Sequence, residues 1–249
     1  MQPASTQDPI LLASAQSLET NASAAPAIPD AVVERAATVR TRRGQSLALS
    51  YDGGAAAFVV RSGILALHVT LPEGLRQVVA ILYPGDVVPS AFAPPHASAF
   101  LTAMSVGEVL RLRSKTFSEL VATDSDVARY FQDAAARQAA RQGIHLAAVG
   151  RFDCQQRVAT YLTELALRIG VRAPGGGLTF EMPLSRTDLA DYLGLNADTL
   201  SRTMSRLRAS GLISFQDRQH AVVRDFVALA ALTPAAQSLM ALCGGKLSG

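Results

Sequence analysis

Apolar residues recur in two different rhythms along this chain. Residues from about 36 to 120 carry short apolar runs at strand spacing: Leu47–Leu49, Ala56–Arg61, Ile64–Thr70, Arg76–Leu82 and Val106–Leu112. Gly44, Gly53-Gly54, Gly63, Pro72 with Gly74, and Pro84-Gly85 punctuate them. Short strands with turn residues between them predict a small antiparallel β-roll or sandwich. The rhythm then turns helical. Ser114 to Ala122 reads as a short helix, and Asp126 to Val149, free of proline, as one long helix capped by Asp124 or Ser125. On it Val127, Phe131, Ala134, Gln138, Arg141, His145 and Ala148 follow a heptad seam, apolar first and polar later. Such a seam reads as a dimer coiled coil whose first half supplies the contact, or as an ordinary solvated helix.

Gly150 to Phe152 reads as a hinge. Another helix starts at Asp153 and runs through Val158, Tyr161, Leu162, Leu165 and Ile169. A loop at 173–177 and a short strand, Thr179–Met182, lead into the most informative stretch of the chain. There Leu189, Ala190 and Leu193 fall on one helical stripe, and Leu200, Met204 and Leu207 on a second. Ser185 is a good N-cap with Asp188 three residues on, Gly194 is a natural helix stop, and Asn196 can cap the second helix. Leu195 fills the elbow, and small Ala190 suits a close helix crossing. Thr203 stands where an aliphatic residue would be expected. The second helix carries Asp198, Ser201, Arg202, Ser205 and Arg206 on its other face. This is a helix-turn-helix, with an ordinary hairpin of solvated helices as the alternative. Ser185, Thr187, Asn196, Asp198, Thr199, Ser201, Arg202, Ser205 and Arg206 are its candidate DNA contacts. Two strand-like runs, one ending at Phe215 and one starting at Ala221, flank a polar turn and read as a wing. Phe226 to Leu232 closes the unit.

Composition narrows the class. The chain has 249 residues, 49% hydrophobic, with a net charge of +3. Residues 1–150 balance 12 basic against 12 acidic side chains, whereas residues 151–249 hold 11 against 8. The positive excess thus lies in the half that carries the helix-turn-helix, as expected of a DNA reader though not unique to one. Lys115 and Lys246 are the only lysines, so arginine, suited to bidentate contacts, supplies the charge. No run reaches the length of a membrane span, and residues 1–29 lack a basic-plus-apolar leader, so a cytoplasmic protein is expected. The expected organisation is a flexible tail (1–30), a roll (31–123), a dimerisation helix (124–150), a winged helix-turn-helix (151–232) and a C-terminal tail (233–249). The fold class is α+β.

The order of roll, long helix and winged helix-turn-helix resembles the cyclic-AMP-receptor and fumarate–nitrate-reductase (Crp/Fnr) family of bacterial transcription regulators, over about residues 36–232. Ser62-Gly63, Gly74-Leu75-Arg76-Gln77 and Pro84-Gly85-Asp86 look like the family's cyclic-nucleotide-binding-like roll. Gly150-Arg151-Phe152 with Gln156-Arg157-Val158-Ala159 looks like the hinge of the fumarate–nitrate branch. That branch and the nitrogen-fixation K-type branch carry Glu-x-x-Ser-Arg on the recognition helix, matched here by Asp198, Ser201 and Arg202. The resemblance implies a homodimer reading a palindrome like TTGAT-N4-ATCAA, with RNA polymerase as a further partner. Arg202 can bond guanine O6 and N7, and Asp198 can accept from cytosine N4. Asp198 can also orient Arg202 one turn away. Asp in place of Glu shortens that carboxylate by one methylene and bears on the outer bases.

The residues also bear on cofactors. A cyclic-nucleotide pocket needs an arginine for the phosphate, yet none occurs between Arg76 and Arg111. An iron–sulfur cluster needs four cysteines, and the chain has only Cys154 and Cys243. No cofactor, cyclic nucleotide or cluster is therefore expected. Haem stays open through His68, His96 or His145, although scattered histidines are more often structural or solvent-facing. Cys154, at a helix start near Arg151 and Arg157, is a candidate redox switch or a plain thiol. A haem- or ligand-gated sensor of the same architecture stays open as an alternative. A roll metalloenzyme would need clustered His and carboxylate ligands, and the roll offers only His68 and His96, so no enzyme is expected.

Overall fold

A computed structural model describes residues 26–51, 54–92, 94–217 and 219–243; most of the expected N-terminal tail lies outside them. The described residues form two compact units, 26–142 with 183–192, and 143–182 with 193–243.

The first unit opens with α1 (Asp30–Arg35) and continues through nine strands: β1 (Ala37–Thr41), β2 (Ser46–Ala48), β3 (Ser50–Tyr51), β4 (Gly54–Ser62), β5 (Leu65–Thr70), β6 (Arg76–Leu82), β7 (Val87–Pro89), β8 (Ser98–Ala103) and β9 (Gly107–Arg113). They make two antiparallel sheets, β1-β9-β4-β3 with β7 also on β4, and β2-β8-β5-β6. Phe58, Val60, Leu65, Leu67, Leu82, Leu101 and Val109 form the core between them. β6 has its expected bounds, and the other four expected strands shift by one or two residues. β1, β3, β7 and β8 were not anticipated. Only Thr41 is buried in β1, so that edge strand carries no apolar alternation to read.

β4 is buried on both faces. Ala56, Phe58 and Val60 face the inter-sheet core, while Ala57 and Val59 join a second cluster with Val32, Val87, Leu110 and Leu112. That second cluster needs a cover. It is supplied by α2 (Ser114–Thr123) and by the long helix α3 (Ser125–Arg151), through Leu120, Val127, Tyr130, Phe131 and Ala134. Phe131 meets Phe117 edge-to-face, with centroids 4.8 Å apart. Burying a side chain of that size contributes about 2–3 kcal/mol.

This corrects the coiled-coil reading. The first half of the seam, through Val127, Phe131 and Ala134, is covered by the chain's own roll. Gln138 and Arg141 further along are buried as well. Heptad spacing identifies the covered face of a helix but not its cover. Asp124 caps α3 as expected, its Oδ1 accepting from the Asp126 and Val127 amides at 2.9 and 3.1 Å. The helix includes Gly150 and Arg151, so the expected hinge contracts to Phe152 and Asp153.

The polar half of the seam has its own partner. Tyr83-Pro84-Gly85-Asp86 is a tight turn closed by the Asp86 amide on the Tyr83 carbonyl at 3.0 Å, with Gly85 at φ +87°. Proline followed by a positive-φ glycine is the type II signature. The turn aims the Asp86 carboxylate inward, where it accepts from the Tyr83 amide at 2.8 Å and pairs with Arg141 of α3. Both partners are buried, and the guanidinium lies over the Tyr83 ring.

The second unit is built on α4 (Cys154–Ile169), buried along Val158, Tyr161, Leu162 and Leu165. β10 (Val171–Arg172) and β11 (Leu178–Glu181) come next. After α5 (Arg186–Leu193), which groups with the first unit, come α6 (Ala197–Ala209), β12 (Ile213–Phe215) and β13 (His220–Val223). β10, β11, β13 and β12 form one antiparallel sheet, so the wing hairpin is extended by two strands. β13 stops at Val223, short of Phe226. Asp225 caps a short helix there, α7 (Phe226–Ala230), accepting from the Ala228 amide at 2.9 Å. The expected C-terminal tail carries α8 (Ala236–Leu242), which buries Leu239 and Met240 in contact with α4.

Removing one member of a buried ion pair strands the other. Arg141→Met is expected to destabilise the fold by about 3–5 kcal/mol in urea unfolding, and adding Asp86→Leu to recover most of that loss. A double variant no more stable than the single one would show the pair is not coupled.

Candidate nucleic-acid interface

Local chemistry sets both helices of the motif. The Ser185 hydroxyl accepts from the Asp188 amide at 3.1 Å and donates to the Asp188 carboxylate at 2.6 Å. This starts α5 as expected, with the carboxylate bound to the serine hydroxyl rather than to its backbone amide. Gly194, at φ +61°, ends α5. Asn196 then caps α6, its side-chain oxygen accepting from the Thr199 amide at 2.7 Å. On α6, Leu200, Met204 and Leu207 are buried. Thr203, the odd residue of the pattern, is buried too, and its hydroxyl donates to the Thr199 carbonyl at 2.8 Å. A threonine therefore fits where an aliphatic residue was expected.

The opposite face of α6 is bare. Asn196, Asp198, Ser201, Arg202, Ser205 and Arg206 are exposed, and Thr199 is half-buried. Seven of the nine candidate contacts thus belong to one helix and its cap. Ser185 and Thr187, both exposed, open α5 in the other unit. Among the described residues Arg202 and Arg206 have no hydrogen-bond or ion-pair partner, so the expected Asp198–Arg202 pair is not formed in the free chain. Two unpaired guanidiniums on one helix face are positioned for base edges or phosphates. Arg208, on the last turn, is also exposed and was not anticipated. Asp217 closes the wing turn, accepting from the Gln219 and His220 amides at 2.7 and 2.8 Å. Those two amides hold its carboxyl down at about 2, helped by the His220 ring.

Comparison with known proteins places this geometry. The cyclic nucleotide-binding domain matches residues 38–124, and the Crp-like helix-turn-helix domain matches residues 156–232. The chain is 31% identical over 193 residues to the transcriptional activator protein FnrL of Cereibacter sphaeroides, covering 75% of this chain and 76% of that one. The chain belongs to the Crp/Fnr family. It is a transcription regulator and not an enzyme. It is also 30% identical over 175 residues to the nitrogen fixation regulation protein FixK of Azorhizobium caulinodans, covering 69% of each. The solved structure of FixK2 from Bradyrhizobium japonicum superposes with a TM-score of 0.67 at 26% identity, covering 80% of this chain and 98% of that one.

The remaining candidates are dispersed. Cys154 is a half-buried free thiol at the first turn of α4. Its expected neighbour Arg157 is committed to backbone carbonyls. His68 is buried and stacks flat on Phe100, with centroids 4.8 Å apart. His96 sits in a turn at φ +61°. No cluster of three or more His, Cys, Asp or Glu side chains able to hold a metal occurs among the described residues, and none of their helices is long and apolar enough to cross a membrane. Burial lowers the pKa of both His68 and His145, the latter to about 4, so both are neutral at pH 7.

A histidine whose folded pKa lies below its unfolded value costs stability as pH falls. The unfolded chain takes a proton from about pH 6.5, while folded His145 resists until about 4. Stability is therefore expected to fall between pH 6.5 and 4. In acid titrations followed by circular dichroism, His145→Gln is expected to restore at most about 3 kcal/mol at the lower end. An unchanged acid transition would show that His145 is not responsible.

Proposed function

We propose that this regulator acts as a cytoplasmic homodimer that reads a palindrome like TTGAT-N4-ATCAA with α6 in the major groove. The observation that carries this is the exposed, unpaired Asp198–Arg206 face of a helix capped by Asn196 and fixed from behind by Leu200, Met204 and Leu207. Arg202 takes guanine O6 and N7, Asp198 accepts from cytosine N4, and Ser201 approaches a thymine methyl. Ser205, Arg206, Thr199 and Asn196 contact the backbone around them. Thr187 offers its hydroxyl to a phosphate, and Ser185 contacts one by exchanging the bond its hydroxyl makes to Asp188. Its relatives named as transcriptional activators support recruitment of RNA polymerase as the output.

The dimer contact moves to the other side of α3. With the first half of the seam covered by the roll, the exposed face runs through Gln132, Ala136, Ala139, Gly143, Leu146 and Gly150. Leu146 is 74% exposed, and a Cβ at Gly143 or Gly150 would meet nothing within 4 Å. Small residues with one bare leucine, recurring at heptad spacing, suit a second copy of the same helix.

The signal is not a cyclic nucleotide in this reading. No arginine stands between Arg76 and Arg111 to hold a phosphate, and Asp86 of the family's glycine–acid loop is held by Arg141. No cofactor is proposed. Cys154 is the candidate for redox control, and of the candidate haem ligands His68 is buried and stacked on Phe100.

Selection from random DNA, run with and without reductant, tests the reading. Enrichment of a TTGA-type inverted repeat is expected, and Arg202→Ala should weaken that site by about 1–3 kcal/mol per recognition helix. Enrichment only in reductant, with Cys154→Ser enriching the repeat in both conditions, would assign the switch to Cys154. No repeat in either condition would refute the proposed site.

Leu146→Glu tests the dimer. It is expected to shift the protein toward monomer in sedimentation and to weaken palindrome binding far more than half-site binding. Unchanged mass and affinity would exclude this face.

A further inference from the structure

We infer that Arg157 is a positioning residue, which sets the recognition helix relative to the end of α3 and so fixes the half-site spacing the dimer accepts. This rests on the proposed dimeric reading. Arg157 lies one turn into α4, beyond the capping box formed by Asp153 and Gln156. Its guanidinium reaches three backbone carbonyls. Nε donates to Phe152 at 2.9 Å, and one terminal nitrogen donates to Leu193 at 3.1 Å and to Gly194 at 3.2 Å. Phe152 extends the end of α3, its amide donating to the Ala148 carbonyl. Leu193 and Gly194 are the turn that leads, two residues later, to the α6 cap. One planar cation therefore joins the end of the proposed dimer helix to the start of the reading helix.

The carbonyls at a helix end lack intrahelical partners and carry the negative end of its dipole, so a cation there is well placed. The fork matters as much as the charge. Arginine offers five donors in fixed geometry, whereas lysine offers a mobile point charge. Packing reinforces the joint, because a Cβ on Gly194 would meet Val149 of α3 at 3.3 Å and the Arg157 guanidinium at 3.4 Å. The turn thus has little room to shift against α3. Recognition helices of such dimers stand about 34 Å apart along the duplex, and adding one base pair moves one half-site by about 3.4 Å and 35°. A rigid joint rejects that change and a loose one tolerates it.

The test measures affinity for inverted repeats with three, four and five central base pairs, using full-length wild type, Arg157→Met and Arg157→Lys at equal active concentration. Wild type should prefer one spacing strongly. Both variants should lose that preference to about a tenth of its wild-type value while keeping half-site sequence preference. A role in stability alone predicts an equal loss at every spacing, and that result would overturn the proposal. So would Arg157→Lys keeping wild-type discrimination, which also decides the matter should the methionine variant fail to fold. Failure of wild type to bind any inverted repeat would instead refute the dimeric reading beneath it.

Discussion

The first unit depends on covering the outer face of one sheet. β4 is apolar and buried at five consecutive positions, Ala56 to Val60, so neither of its faces can be left to water. The second sheet covers one face, and α2 and the first half of α3 cover the other. That requirement decides which side of α3 turns inward. It also brings Arg141, two turns beyond Ala134, over the Asp86 carboxylate. The ion pair is a consequence of the burial and gains its specificity there. A guanidinium and a carboxylate that have lost their water must meet each other, so the loop and the helix have one register in which both charges are paired.

The same division of labour governs the reading helix. One side of α6 is fixed by packing and the start of the helix by a side-chain cap, so its orientation does not depend on DNA. The other side keeps two arginines without protein partners. Charges left in water are available at little desolvation cost, and a rigid helix loses little entropy on docking. An Asp198–Arg202 pair in the free chain would have competed with the bases. Its absence leaves both groups available.

The parts of this fold legible in the sequence were those whose physics is local. The strand Arg76–Leu82, the Asp124 and Asn196 caps, the Gly194 stop and the α6 face all depend on residues within one turn or one strand. The seam of α3 was legible as a covered face, but its partner is the outer face of the sheet built on β4 and β9. Much of that face lies far upstream in the chain, and periodicity carries no record of that distance. β1 escaped because an exposed edge strand has no burial pattern. The α8 helix escaped because its contact with α4 is long-range. Thr203 looked anomalous because a pattern of apolar letters cannot see a hydroxyl bonded to the preceding turn.

Arginine usage links these observations. Its chemistry allows one residue type to serve three environments here. Arg141 is buried against a carboxylate and over an aromatic ring, Arg157 bridges three carbonyls, and Arg202 is held out in water. The first two need a planar, weakly hydrated cation with several donors in fixed directions, which lysine does not provide. A chain with only two lysines is therefore suited to internal cationic joints as well as to DNA. Net charge alone cannot separate these uses. Arg141 counts toward the basic total yet is buried and paired with Asp86, and half-buried Arg157 is committed to carbonyls, so the freely exposed charge for DNA rests on residues such as Arg202 and Arg206.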